Sequence, residues 1–194
     1  FGYERMQREY LARGLQKCEP EDIIVISDVD ELYRTSVLDE FRARRQAEIE
    51  SNLPARSVSV RLRNCMYYIN TAWAERMPGP TIMTYDYFTT VFNGSMKLAR
   101  ESRRHGKPIF QGGWHLSCFG GAEVVRRKLM AFSHWEYAKP MIVDGLEDKI
   151  QNLIQYSKGL KLYFADENDL PEYVKNNLGR FGKYIYREER NGEH

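Results

Sequence analysis

Asp22-Ile23-Ile24-Val25-Ile26-Ser27-Asp28-Val29-Asp30-Glu31 is the stretch on which the reading of this chain turns. Ile23 to Ile26 is a short, uninterrupted apolar run of β-branched residues, the pattern of a strand buried on both faces. It ends abruptly in two aspartates at i and i+2. In α/β proteins ligands gather at the carboxyl ends of strands. Two carboxylates delivered there suit a hard divalent cation whose remaining positions are filled by phosphate oxygens. Asp28 and Asp30 are therefore the candidate metal ligands, with Glu31 beside them. The plainer reading is that the three acids cap the next helix and solvate a turn.

Working outward, Arg5 to Lys17 reads as an amphipathic helix carrying Met6, Tyr10, Leu11 and Leu15, stopped by Pro20. Downstream, Thr35 or Ser36 is placed to cap a helix from Val37 to Glu48, with Asp39 and Glu40 in its first turn. Ser57 to Ile69 alternates apolar and polar as a half-buried strand would, and Thr81 to Phe92 is β-rich up to the Asn93-Gly94 turn. Arg103 to Pro108 forms a basic loop able to neutralise a diphosphate. Gly113 to Phe119 reads as a strand broken by Gly120-Gly121, followed by helices over Ala122–Met130 and Val143–Lys158 and a frayed end from Arg187 to His194. No repeat, low-complexity tract or linker interrupts this order. The expectation is one α/β domain over residues 1–194.

Bulk composition narrows the function classes. The 194 residues carry 29 Lys+Arg against 27 Asp+Glu, a net charge of +2 that gives no case for nucleic acid or an anionic membrane as partner. No apolar run reaches the length of a membrane span. Cys18, Cys65 and Cys118 are odd in number and lack metal-ligand spacing, so they read as buried thiols. The aromatic content of 13% leans toward a ligand with flat apolar faces, such as a sugar or a base.

Two further constellations carry chemistry. Gly112 to Glu123 runs from strand through glycine turn to helix, placing Glu123 at a pocket edge where a general base for an acceptor hydroxyl would sit, or where a carboxylate simply complements a helix dipole. His134, after a helix and a short apolar run, is a candidate neutral ligand. A phosphatase of the haloacid dehalogenase type also sets Asp-x-Asp after an apolar strand. Leu32 stands where such enzymes carry Thr or Val, which makes that the weaker alternative.

Three segments together resemble glycosyltransferase family 17, the β-1,4-mannosyl-glycoprotein β-1,4-N-acetylglucosaminyltransferase family. They are Asp22-Ile-Ile-Val-Ile-Ser-Asp-Val-Asp-Glu-Leu, Gly113-Trp-His-Leu-Ser-Cys-Phe-Gly-Gly and Lys128-Leu-Met-Ala-Phe-Ser-His-Trp-Glu-Tyr, and the likeness covers roughly Arg5 to Gly159. The resemblance implies a GT-A-like mixed sheet flanked by helices, here lacking the N-terminal nucleotide-binding strands. It further implies Mn²⁺ or Mg²⁺, a UDP-sugar donor (UDP-GlcNAc), inversion at the anomeric carbon and a glycan or glycoprotein acceptor. Asp28 and Asp30 match the family's Asp-x-Asp, and His115 and His134 its two recurrent histidines. Trp114 and His115 join Asp28, Asp30 and Glu31 as the expected donor- and cofactor-binding set. The Gly120-Gly121-Ala122-Glu123 turn is similar to the Gly-Gly-Glu-Asp turn of β-1,4-galactosyltransferases. That likeness implies Glu123 as base, His134 as third metal ligand and Glu136 as the reserve base. Leu116-Ser117-Cys118-Phe119 departs from the animal enzymes, so the acceptor need not be an N-glycan. The alternative from another class is a non-catalytic carbohydrate-binding domain that recognises sugar through Trp73, Trp114, Trp135 and the tyrosines.

Overall fold

The computed structural model describes residues 2–131 and 140–187. In chain order the principal elements are α1 (Gly2–Tyr10), β1 (Ile23–Ile26), β2 (Glu31–Tyr33), α2 (Ser36–Glu50), β3 (Val58–Met66), β4 (Thr71–Ala72), β5 (Met77–Thr84), α3 (Tyr85–Val91), α4 (Met96–Glu101), β6 (Lys107–Ser117), α5 (Ala122–Ala131), α6 (Pro140–Val143), α7 (Leu146–Gln151), β7 (Tyr163–Phe164) and α8 (Glu172–Lys175). The protein is mixed α/β, its sheet strands flanked by helices. It divides into two compact units, one of Phe1–Leu62 with Arg76–His115 and the other of Arg63–Glu75 with Leu116–His194. Neither unit is contiguous in sequence, because β3 and β6 each run from one into the other. No composition shift marks such a boundary.

In the first unit β1 is an antiparallel edge strand on β5, with Ile24 opposite Met83 and Ile26 opposite Thr81. Its apolar run is covered on both sides, as the sequence implies. Ile24 and Ile26 belong to a cluster with Met83, Phe88, Met96 and Ala99. Ile23 and Val25 pack on a second cluster built from Val37, Phe41, Val60, Leu62 and Ile82. β5 continues antiparallel onto β3, Val58 facing Ile82 and Leu62 facing Met77. β2 runs antiparallel to β6, and here a glycine is obligatory. Gly113 has φ +153°, and a Cβ on it would stand 2.0 Å from the Leu32 carbonyl oxygen.

In the second unit the end of β3 pairs with β4 through Cys65 and Ala72, and β4 with β7. Met66, Val125, Leu129, Leu146, Ile150 and Leu162 form its main core, with Tyr67 donating its hydroxyl to the Ile154 carbonyl at 2.9 Å. Arg63 is buried here and ion-paired to Asp169.

Several sequence expectations change. The Arg5–Lys17 helix is α-helical only to Tyr10 and continues as a 3-10 turn from Leu11 to Leu15. Thr81–Phe92 is strand only to Thr84, whose hydroxyl accepts from Tyr87 N–H at 3.3 Å and caps α3; local capping overrides the β propensity of Tyr85 to Val91. β3 is buried on both faces, Ser59 and Arg63 included, rather than half-buried. α2 begins at Ser36 without a side-chain cap from Thr35. The strand read from Gly113 to Phe119 starts earlier, at Lys107, and the basic stretch before it is a 3-10 turn from Ser102 to Arg104. Of the Val143–Lys158 helix only Leu146–Gln151 is one continuous α-helix: Val143 ends α6, and the chain has left the helix by Leu153, which adopts φ +52°. Cys18, Cys65 and Cys118 are free thiols, the last two buried. The end expected to fray, beyond Arg187, lies outside the described residues.

Candidate functional site

β1 hands the chain to a tight turn in which Glu31 N–H donates to the Asp28 carbonyl at 3.1 Å. The Glu31 carboxylate folds back over this turn. Its Oε2 accepts from Asp28 N–H at 3.0 Å and from Ser27 Oγ at 3.4 Å. Val29 is thereby thrown wholly into solvent, while Asp28 and Asp30 each keep about a third of their side chain exposed, 30% and 32%.

Glu31 is the most enclosed of the three acids, its side chain only 1% exposed. Burial raises its pKa above the ordinary carboxylate value; Arg103, whose Nη1 donates to Oε1 at 3.0 Å, and His115 oppose that rise, and Asp30 reinforces it. Asp28 faces two guanidinium groups. Its Oδ1 accepts from Arg8 Nη1 at 3.0 Å and from Arg100 Nε at 3.2 Å, and its Oδ2 accepts from Arg100 Nη2. Burial, and then repulsion from Arg103 and Arg8, lower the Arg100 pKa to about 10. Asp30 has a different neighbour: His115 Nε2 lies 3.4 Å from its Oδ2. The β2–β6 register brings this about by setting Glu31 opposite His115 and Leu32 opposite Trp114.

The arginines reach the turn by separate routes. Arg103 sits in the 3-10 turn after α4, at the start of the stretch expected to be basic. Arg8 and Arg100, distant from Asp28 in sequence, carry no local signal of their role. Arg8 is delivered by α1, whose next residue, Glu9, fastens this helix to α4. The Glu9 carboxylate accepts from Ser95 Oγ at 2.9 Å and from the backbone N–H of Met96 and Lys97 at 3.0 and 3.2 Å. These are the otherwise orphaned donors of the α4 N-terminus.

Among the described residues, no three of His, Cys, Asp or Glu converge as a metal-binding group. Mg²⁺ and Mn²⁺ need no such cage; one carboxylate plus substrate phosphates suffices. Asp30, partly exposed beside His115, fits that requirement. Asp28 does not present itself as a second ligand, because both of its oxygens are engaged by guanidinium groups. A divalent ion at this turn, if held there, would find Asp30 beside His115 and Asp28 already engaged by Arg8 and Arg100. Trp114 is buried, with the Arg34 guanidinium 4.2 Å above its ring, so that ring face is already covered.

Glu123 belongs to the second unit. It opens α5 after Gly120 and Gly121, whose φ values of +98° and +83° make the turn. Its side chain is 69% exposed and accepts from Arg126 at 2.8 Å, rather than being partly desolvated as the base reading expects. His134 and Glu136 lie outside the described residues. The chain matches no protein-family model, no curated protein and no solved structure.

Proposed function

We propose that this chain is the metal- and acceptor-binding portion of an inverting glycosyltransferase of GT-A-like architecture. In this reading it moves a sugar, GlcNAc from UDP-GlcNAc foremost, to a hydroxyl of a glycan or glycoprotein acceptor. The observation that supports the reading is the meeting of two of its motifs in the first unit: the Asp-x-Asp turn after β1 and the Gly-Trp-His segment of β6 join through Asp30 and His115. Chance Asp-x-Asp turns have no reason to find a histidine from a second motif at hydrogen-bonding range.

Each residue then has a role. Asp30 supplies the carboxylate ligand, and His115 orients it from the neighbouring strand. A divalent ion, when bound there, balances the charge that builds on the leaving nucleoside diphosphate. Arg100 and Arg103 hold positive charge beside the same turn, and Glu31 keeps the turn closed through the Asp28 N–H.

Calorimetric titration of UDP and UDP-GlcNAc, with Mn²⁺ and then with EDTA, tests the donor half of this reading. Metal-dependent binding that weakens about tenfold or more in Asp30→Ala supports it. Metal-dependent sugar transfer that persists undiminished in Asp30→Ala sinks it, as does the absence of binding under both conditions.

A further inference from the structure

The Asp-x-Asp turn is surrounded by more positive charge than a metal-binding turn requires. Arg8, Arg100, Arg103 and Arg104 lie close enough to repel one another, and Glu4, Asp28 and Glu31 are ion-paired among them. Glu31 is turned to Arg103 and to the Asp28 N–H, whereas Asp28 faces the guanidinium groups of Arg8 and Arg100. Asp28 receives Arg100 through both Nε and Nη2, the edge of the guanidinium fork that matches a carboxylate or a phosphate equally well, and it takes Arg8 as well. A phosphate group arriving at this turn therefore meets a carboxylate already seated in the position it would occupy.

We propose that Arg8, Arg100, Arg103 and Arg104 form a recognition cluster for a diphosphate group, and that Asp28 is its internal competitor, masking Arg8 and Arg100 until the diphosphate displaces it. The inference rests on the reading of this turn as a donor site, and it changes the part played by one residue: Asp28 acts as an exchangeable counter-ion and Asp30 as the metal ligand. The exchange needs no metal. One anion replaces another on the same guanidinium groups, and the Asp28 carboxylate moves into solvent, to which it is already 30% exposed. α1 takes part because it brings Arg8, and the Glu9 contacts with α4 keep that helix in place whether or not Asp28 is bound.

The test uses inorganic pyrophosphate titrated calorimetrically into the whole chain in EDTA, with the Asp28→Asn and Arg104→Gln variants alongside. Pyrophosphate should bind without metal, and Asp28→Asn should bind it about fivefold more tightly, because a neutral amide no longer competes for Arg8 and Arg100. A metal-ligand role for Asp28 predicts the opposite sign. Arg104 is exposed, so Arg104→Gln leaves folding unchanged, and it should weaken binding about threefold. Affinity in Asp28→Asn equal to or below that of the parent chain overturns the masking, and unchanged affinity in Arg104→Gln overturns the cluster. Pyrophosphate binding that appears only with Mn²⁺ overturns both. A parallel titration with UDP separates this inference from the function proposed above. UDP binding no tighter than pyrophosphate contradicts the nucleotide-sugar donor while leaving the arginine cluster supported.

Discussion

Replacing Arg103 by Gln takes the guanidinium away from a carboxylate whose side chain is 1% exposed, and the cost should depend on pH in a direction the structure dictates. At 3.0 Å and an effective dielectric constant of about 20, the gross attraction between Arg103 and Glu31 is roughly 5 kcal/mol. Part of this is offset because Arg103 is itself desolvated, which lowers its pKa and is relieved by the substitution. A net loss of about 2–3 kcal/mol near pH 7.5 follows. Glu31 already holds its proton to a higher pH in the folded chain than in the unfolded one, so its contribution to stability is present below the ordinary value of 4.5 and is lost as pH rises through the raised one. Without Arg103 the folded-state pKa rises further and that window widens. As the pH is lowered and folded Glu31 takes up its proton in the variant, the substitution should therefore cost progressively less. Urea unfolding of both proteins near pH 5 and near pH 7.5 measures the two values. Adding Glu31→Gln to Arg103→Gln should restore most of the loss at the higher pH, since the buried charge is then gone. Equal destabilisation at the two pH values would refute the reasoning.

Gly113→Ala should destabilise the protein by at least about 3 kcal/mol or prevent folding, because its Cβ would fall 2.0 Å from the Leu32 carbonyl oxygen; a thermal midpoint within a few degrees of the parent's would contradict the β2–β6 approach. Tyr67→Phe removes the hydrogen bond to the Ile154 carbonyl and should cost about 1 kcal/mol at neutral pH by denaturant unfolding. The same variant should lose its disadvantage in alkali. Burial raises the Tyr67 pKa above its ordinary 10, so the unfolded chain releases that proton first, and the parent loses up to about 1.4 kcal/mol per pH unit above pH 10 that the variant does not.

Much of the local architecture was legible in the residues. Ile23 to Ile26 can only be a covered strand, given four β-branched apolar residues with a polar stop, and apolar clusters do lie against both of its faces. The Gly120-Gly121 turn and the helix after it follow from backbone freedom and from helical periodicity. Elements that rest on competing local signals were harder. Tyr85 to Val91 has β-forming residues, yet the hydroxyl of Thr84 caps it as a helix.

The chemistry of the acids divides differently. That Asp28, Asp30 and Glu31 stand together at the end of a strand is a property of the sequence, because they are consecutive or nearly so. What each of them does was decided by tertiary structure. Glu31 is buried on Arg103, Asp28 is clamped by Arg8 and Arg100, and Asp30 lies beside His115. Hydrophobic period and helix propensity are short-range quantities, and they specify which residues form an element. The partner of a charge is chosen by whichever elements pack around it, and here those come from α1, from the segment around α4 and from β6. No spacing rule along the chain encodes that choice, which is why three adjacent carboxylates carry three different environments.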